Sequence, residues 1–294
     1  MKQFLIIILF LSFKFSFNKI EDLLNDNQSI ISLNLNNNNS LKGFGYWLFG
    51  RDMDNVNLKD LSKAGVTDIF LNYYAFQLYD RKKIISFISL ANDEKIRIHI
   101  WMQVFNKDGN WINPKNYDFT PIITEAKNYA SVPGVAGVHL DYLRYPGTAY
   151  HTTGGVEAIN KFVLLLVDSV HKINSKCIIS AAIMPETTES RYYYGQDYTV
   201  LSKFLDVVIP MIYKGNYKKN RDWIKTTTQW YVKNSEYAAV WAGLLSFRSD
   251  DDTTKLPLTE LNEDITAAIN ENANGVILYR WGASNYPNFN SFKK

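Results

Sequence analysis

The sequence is poor in the residues that hold metals and disulfides. It has one cysteine, Cys177, and four histidines in 294 residues. A single thiol excludes an internal disulfide and any multi-cysteine metal site. His99, His139, His151 and His171 lack the paired spacing of a zinc ligand set, so no metal and no cofactor is expected. There is no P-loop pattern and no G-x-S-x-G elbow, which leaves a phosphate-binding loop and a serine hydrolase without support. Proline and glycine are sparse, 8 and 15, and 46% of the chain is hydrophobic. That balance excludes a collagen-like or wholly disordered chain. The net charge is only +3. A generic nucleic-acid binder carries more, so no nucleic-acid partner is expected.

Long apolar runs are also scarce. The one at the start, residues 4–13, follows Met1-Lys2-Gln3 and is interrupted by Lys14. A span needs about 20 apolar residues, so residues 1–18 read as a secretory signal peptide or an uncleaved N-terminal anchor. Residues 19–40 are rich in asparagine and end in Asn36-Asn37-Asn38-Asn39-Ser40, the composition of a linker. The chain is therefore expected to be secreted or at the cell surface. It is expected to meet a membrane only if the first segment stays uncleaved.

What remains, residues 41–294, alternates strand and helix. Apolar runs at residues 43–49, 67–73, 97–104, 135–141, 177–184, 206–213, 238–245 and 275–281 are separated by segments of helical period. Most of the runs are nearly continuous rather than alternating, as in parallel strands buried on both faces. Eight such units predict a single-domain (β/α)8 TIM barrel, expected to be a monomer. A doubly wound sheet is the runner-up, but no glycine-rich dinucleotide turn follows the first strand. The chain ends soon after the eighth strand, so the last helix should be short or missing. The segment before Gly43 is expected to cover the gap.

In such a barrel, chemistry sits at the C-terminal ends of the strands. The fourth strand, Gly137-Val138-His139-Leu140-Asp141, closes on a carboxylate. Asp141 suits a nucleophile, a base or a charge stabiliser, and Arg144 could hold it in a bidentate pair. Glu186, after Pro185 at the end of the fifth strand, is the second carboxylate. A partly buried glutamate keeps its proton to higher pH and can act as general acid. Two carboxylates flanking a bond are the equipment of glycoside hydrolysis. His99 and His139 fall inside strands and read as hydrogen-bonded interior residues.

Aromatic residues make up 15% of the chain, with 19 tyrosines and 7 tryptophans. Their rings carry an apolar face and, in Tyr and Trp, a polar edge, which is what a sugar needs. Tyr73, Trp101, Gln103, Arg144, Tyr145, Tyr213, Lys214, Arg248 and Trp281 lie at or near predicted strand ends and are the candidate substrate contacts. Tyr192-Tyr193-Tyr194 also falls near a strand end.

The segment Gly137 to Pro146 resembles the G-[hydrophobic]-x-x-D-Y-[IL]-R-[FY]-P signature of a family of TIM-barrel glycoside hydrolases. Ile209-Pro210-Met211-Ile212-Tyr213 and the segment from Gly275 to Trp281 resemble that family's sixth and eighth strands. The resemblance covers residues 43–281 and implies a polysaccharide-directed barrel with Asp141 as the key carboxylate. A more distant likeness is to the chitinase-type family 18, whose fourth strand reads D-G-x-D-x-D-x-E. Aligned on Gly137, Asp141 takes the last aspartate, His139 the middle one, and Leu143 the place of the catalytic glutamate. Tyr213 and Trp281 fall near that family's sugar-contacting Tyr and Trp. The missing glutamate argues against the substrate-assisted chitinase mechanism.

Three readings follow. The first is a secreted glycoside hydrolase acting on a polysaccharide or oligosaccharide, using Asp141 and Glu186. The second is a catalytically silent, carbohydrate-binding TIM barrel. The third is another hydrolase or a lyase acting on a peptide or an acidic glycan, with Lys214 and Arg248 binding a substrate carboxylate.

Overall fold

In a computed structural model, which describes residues 40–293, eight parallel strands close into a barrel. The expected leader, and the linker up to residue 39, lie outside the described residues. The strands are β1 (Gly43–Leu48), β2 (Asp68–Asn72), β3 (Arg97–Gln103), β4 (Gly137–Asp141), β5 (Ile178–Ile183), β6 (Val207–Pro210), β7 (Ala239–Leu245) and β8 (Gly275–Tyr279). They pair in that circular order, and β8 closes on β1 with Gly43 beside Gly275 and Tyr46 beside Leu278. The helices α1 (Leu58–Lys63), α2 (Arg81–Asp93), α3 (Thr120–Ala130), α4 (Gly155–His171), α5 (Tyr198–Phe204), α6 (Arg221–Asn234) and α7 (Leu258–Asn270) follow the first seven strands. Asn57, Asp80 and Asn220 start α1, α2 and α6 by accepting a backbone N–H in the first turn.

Among the described residues, β8 is followed by a 3-10 turn, Phe289–Phe292, and by no α-helix. That turn fills the gap itself. Phe289 is fully buried against the rings of Phe44 and Tyr46, 5.7 and 5.6 Å away. Its N–H donates to the Ala64 carbonyl. Of the segment before Gly43, only residues 40–42 are among those described. Leu41 lies at the foot of the barrel, where its carbonyl accepts the Trp241 indole N–H at 2.8 Å.

Side chains on a strand alternate between faces. Phe44, Tyr46, Ile69, Leu71, Ile98 and Ile100 point outward into the helix layer. Trp47, Phe70, Trp101, Trp241 and Ile277 form a separate inner cluster. Inward glycines make room for the large rings. A Cβ on Gly43 would lie 2.4 Å from the Trp241 ring, and one on Gly137 would lie 2.4 Å from His99 Nδ1.

The interior also holds a buried polar column. At the foot, Arg97 donates to both oxygens of Asp68, each at 2.8 Å, and His99 Nε2 lies 2.8 Å from Asp68 Oδ1. Above them, the Trp47 indole N–H donates to His139 Nε2 at 3.2 Å. Indole can only donate, so the His139 proton sits on Nδ1 and is given to Ser180 Oγ at 2.9 Å. The reading of His99 and His139 as interior hydrogen-bonded residues therefore holds.

Burial pushes His139 well below its ordinary pKa of 6.5, with the nearby His99 adding to the shift. His99 is also lowered by burial, against the pull of Asp68. As pH falls through about 6.5, the unfolded chain binds these protons first, so stability is lost below that pH. The melting temperature of the protein is expected to fall between about pH 6.5 and pH 5. His139→Gln should flatten that slope whatever its cost at neutral pH. An unchanged slope would remove His139 as its source.

Candidate active site

Gly137, His139 and Asp141 share the inner face of β4, so Asp141 is the residue that reaches the mouth. A cleft of about 430 Å³ lies over it at the C-terminal end of the barrel. Trp47, Trp101, Tyr142, Tyr213 and Tyr279 supply aromatic walls, and Asn72, Gln103, Arg144 and Asp250 supply polar groups. Each wall comes from the last inward position of a strand or from the loop beyond it, so eight strands converge on one space.

The Asp141 carboxyl is held at both oxygens. Oδ2 accepts the Trp101 indole N–H at 3.0 Å, and Oδ1 accepts the Tyr142 backbone N–H at 2.7 Å. Burial pushes its pKa above the ordinary aspartate value, against those two hydrogen bonds and the Arg144 charge. Desolvation wins because the surrounding surface is largely aromatic. The hydroxyls near it stay protonated: burial raises Tyr213 far up, and raises Tyr279 to about 12 with Asp141 and Asp250 adding.

Asp250 is the second carboxylate of the cleft, and it did not figure among the sequence candidates. It stands on the hairpin of Phe247–Ser249 and Asp252–Lys255 that follows β7. Asn216 fixes it twice, donating Nδ2–H to Oδ2 at 2.8 Å and accepting the Asp250 N–H at 2.9 Å. The side chain is exposed, in contrast to the half-buried Asp141.

The sequence candidates divide. Trp101, Gln103, Arg144 and Tyr213 line the cleft with Asp141. Tyr73 stands beside it, with its hydroxyl donating to Gln103 Oε1 at 3.1 Å. Arg144 does not form the expected bidentate pair with Asp141. Its guanidinium lies over the rings of Trp111, Tyr142 and Tyr194, 4.9, 5.3 and 5.6 Å from their centres, and donates to the Tyr145 carbonyl. Flat aromatic faces hold guanidinium well, and this position keeps it off the Asp141 oxygens.

Glu186 is not brought into the cleft. It lines a neighbouring depression, where its Oε1 accepts the hydroxyls of Tyr217 and Tyr194 at 2.7 and 3.0 Å. Tyr145 is buried in the helix layer and donates to Asn113 at 3.1 Å, because its position falls on the outward side of the loop after β4. Lys214 points away from the mouth and pairs with Glu260 and Asp264 of α7 at 2.8 and 2.5 Å. Arg248 is exposed and outside the cleft lining. Trp281 packs on Tyr286, with ring centres 6.3 Å apart, and Tyr279 takes the place in the cleft expected of it.

No family model matches the chain, and no curated protein matches it in sequence. Solved structures match it in shape. The glycoside hydrolase domain of PgaB (BpsB) from Bordetella bronchiseptica aligns over 81% of this chain and 94% of its own, with a TM-score of 0.63 and 10% identity. The chain shares its (β/α)8 barrel fold with these structures. A class V chitinase from Pseudomonas fluorescens aligns over 86% of this chain and 98% of its own, at TM-score 0.65 and 14% identity. The spore cortex-lytic enzyme SleL from Bacillus megaterium aligns over 85% and 73%, at TM-score 0.58 and 11% identity. At these identities the likeness is one of fold. Leu143, which the resemblance aligns with the family 18 glutamate, is fully buried in the helix-layer core.

Proposed function

We propose that this barrel is a secreted or surface glycoside hydrolase that cuts a polysaccharide, with Asp141 as proton donor and Asp250 as its partner carboxylate. The observation that carries this reading is Asp141 itself: a carboxyl with a raised pKa, at the end of β4, in an aromatic cleft. The Asp141 O–H would give its proton to the glycosidic oxygen as the bond from that oxygen to the anomeric carbon breaks. Asp250, exposed on its hairpin, would take a proton from the water that attacks the anomeric carbon. The sugar ring would lie against the aromatic walls, which present apolar faces to its C–H groups. Trp101 and the Tyr142 N–H would steady the Asp141 carboxylate left after proton transfer. This assignment moves the acid role from Glu186, which lines a different depression, to Asp141, and gives the base role to Asp250.

The test is reducing-end release by the full chain from cell-wall and storage glycans, with a pH profile on the best one. A donor with a raised pKa sets an alkaline limb: kcat/KM should fall as pH rises through a value above the ordinary aspartate range. Release from none of the glycans, with binding to one, would favour the silent sugar-binding barrel. That reading draws on Leu143, which stands where the resemblance implies a catalytic acid.

A further inference from the structure

The cleft over Asp141 does not end at its own rim. Tyr217 is a wall of that cleft and also of the next depression, about 470 Å³, which holds Trp223 and Trp230. Thr188 is a wall of this second depression and also of a third, about 390 Å³, which holds Tyr150 and Tyr192. The three hollows thus share walls in turn, from the Asp141 cleft to the third.

The third hollow holds a tyrosine platform. Tyr150 and Tyr192 are stacked at 4.8 Å with their planes 3° apart. Tyr193 stands edge-on to both, 6.1 Å from Tyr150 and 5.0 Å from Tyr192. All three are exposed, at 47%, 57% and 39%. Tyrosines this exposed add little to core burial, and a cluster of three is a patch that calls for a ligand. The platform is tied to the cleft by contact. Tyr193 touches Tyr194 at 6.3 Å, and Tyr194 lies under Arg144, which lines the cleft. The loops that carry it follow β4 and β5, the strands adjacent to the Asp141 loop.

We propose that Tyr150, Tyr192 and Tyr193 form an outer sugar-binding platform that continues the Asp141 cleft, so that the protein holds an extended polysaccharide chain rather than a short oligosaccharide. The inference rests on the glycoside-hydrolase reading for what the cleft does, but it has its own signature. Tyr150 and Tyr192 cover one face of each other, and Tyr150 packs on His151 with ring centres 4.1 Å apart. Each ring keeps exposed apolar surface for sugar C–H groups, and the hydroxyls, with Thr152, Thr188 and Arg191 beside them, offer partners to sugar hydroxyls. A neutral or weakly charged glycan spanning the three hollows would meet aromatic surface at both ends. A short oligosaccharide would fill the Asp141 cleft alone.

The experiment is retention of the full chain in native gels containing glycol chitin, chitosan, xylan, mannan or soluble β-glucan. Asp141→Asn is used throughout so that no polymer is cut. Paired Tyr150→Ala/Tyr192→Ala should weaken retention by about tenfold, because the sugar would no longer have those two rings to lie against. Tyr150→Phe/Tyr192→Phe should keep most of it, since the rings remain. Retention unchanged by the alanine pair overturns the platform, as does retention by none of the polymers. Cleavage of a chito-oligosaccharide by the parent chain is read in parallel. If that cleavage persists while retention ignores the tyrosines, the platform fails and the hydrolase reading stands. If retention depends on the tyrosines while no glycan is cut, the platform stands and the hydrolase reading fails.

Discussion

Asp141→Asn is expected to lower kcat by about 10²- to 10⁴-fold while leaving the melting profile cooperative, because a positioned general acid contributes about that much. Asn fills the same volume and keeps one acceptor for the Trp101 indole N–H, but it has no proton to give. Asp250→Asn should cost a comparable factor. The decisive comparison is with Glu186→Gln. A glutamine at that position still accepts from Tyr217 and Tyr194, and it lines a different depression. Its effect should stay within about tenfold, the scale of one weakened hydrogen bond. If instead Glu186→Gln silences the protein and Asp250→Asn does not, the carboxylate assignment is reversed. The alkaline limb of the pH profile supplies an independent readout. It should persist in Asp250→Asn, with Asp141 intact, and vanish from the residual rate of Asp141→Asn.

The contrast between Asp250 and Glu186 shows which part of the site the sequence makes legible. The barrel is legible because eight apolar runs alternate with helical periods, a pattern set by local burial. Asp141 is legible because it closes a strand, where the inward direction and the catalytic end coincide. Counting by twos from that end reaches Trp101 and Gln103 on β3 and Met211 and Tyr213 after β6, and these all line the cleft. The same count along β8 runs Gly275, Ile277, Tyr279, so the inward ring at the strand end is Tyr279 and not Trp281. Lys214 breaks the count after Tyr213 and faces α7. Past the strand ends the count has no force. Asp250 stands in a run of three aspartates, a pattern that reads as a solvated turn. Its place in the cleft comes from the hairpin and from Asn216, which is far away in sequence. Glu186 looks as eligible as Asp141 by position, yet the turn after Pro185 sets it against two tyrosine hydroxyls. Loop conformation of this kind is fixed by tertiary contacts, which one sequence does not display.

Asp68→Ala is expected to destabilise the barrel by about 3–5 kcal/mol, the usual cost of removing one partner from a buried ion pair. Asp68 is fully buried and receives Arg97 at both oxygens, the His99 imidazole and the Thr67 hydroxyl. Removing it leaves the buried His99 Nε2 without its acceptor and takes the counter-charge from Arg97, which keeps only its bond to the Lys42 carbonyl. For a domain of this size the loss corresponds to a fall in Tm of roughly 10 °C. The control is Asp168→Ala, which removes a surface pair between Asp168 and Lys172 at i,i+4 and should cost under about 1 kcal/mol. Burial alone would raise the Asp68 carboxyl, but the His99 hydrogen bond and the Arg97 charge hold it below the ordinary value. A carboxyl held low stabilises the fold above its unfolded pKa of about 3.9, and that contribution is lost as pH falls through its folded value. The stability gap between the parent and Asp68→Ala should therefore be widest near neutral pH and close toward pH 3. A gap that stays constant to acid pH would mean that Asp68 acts through packing and not through its charge.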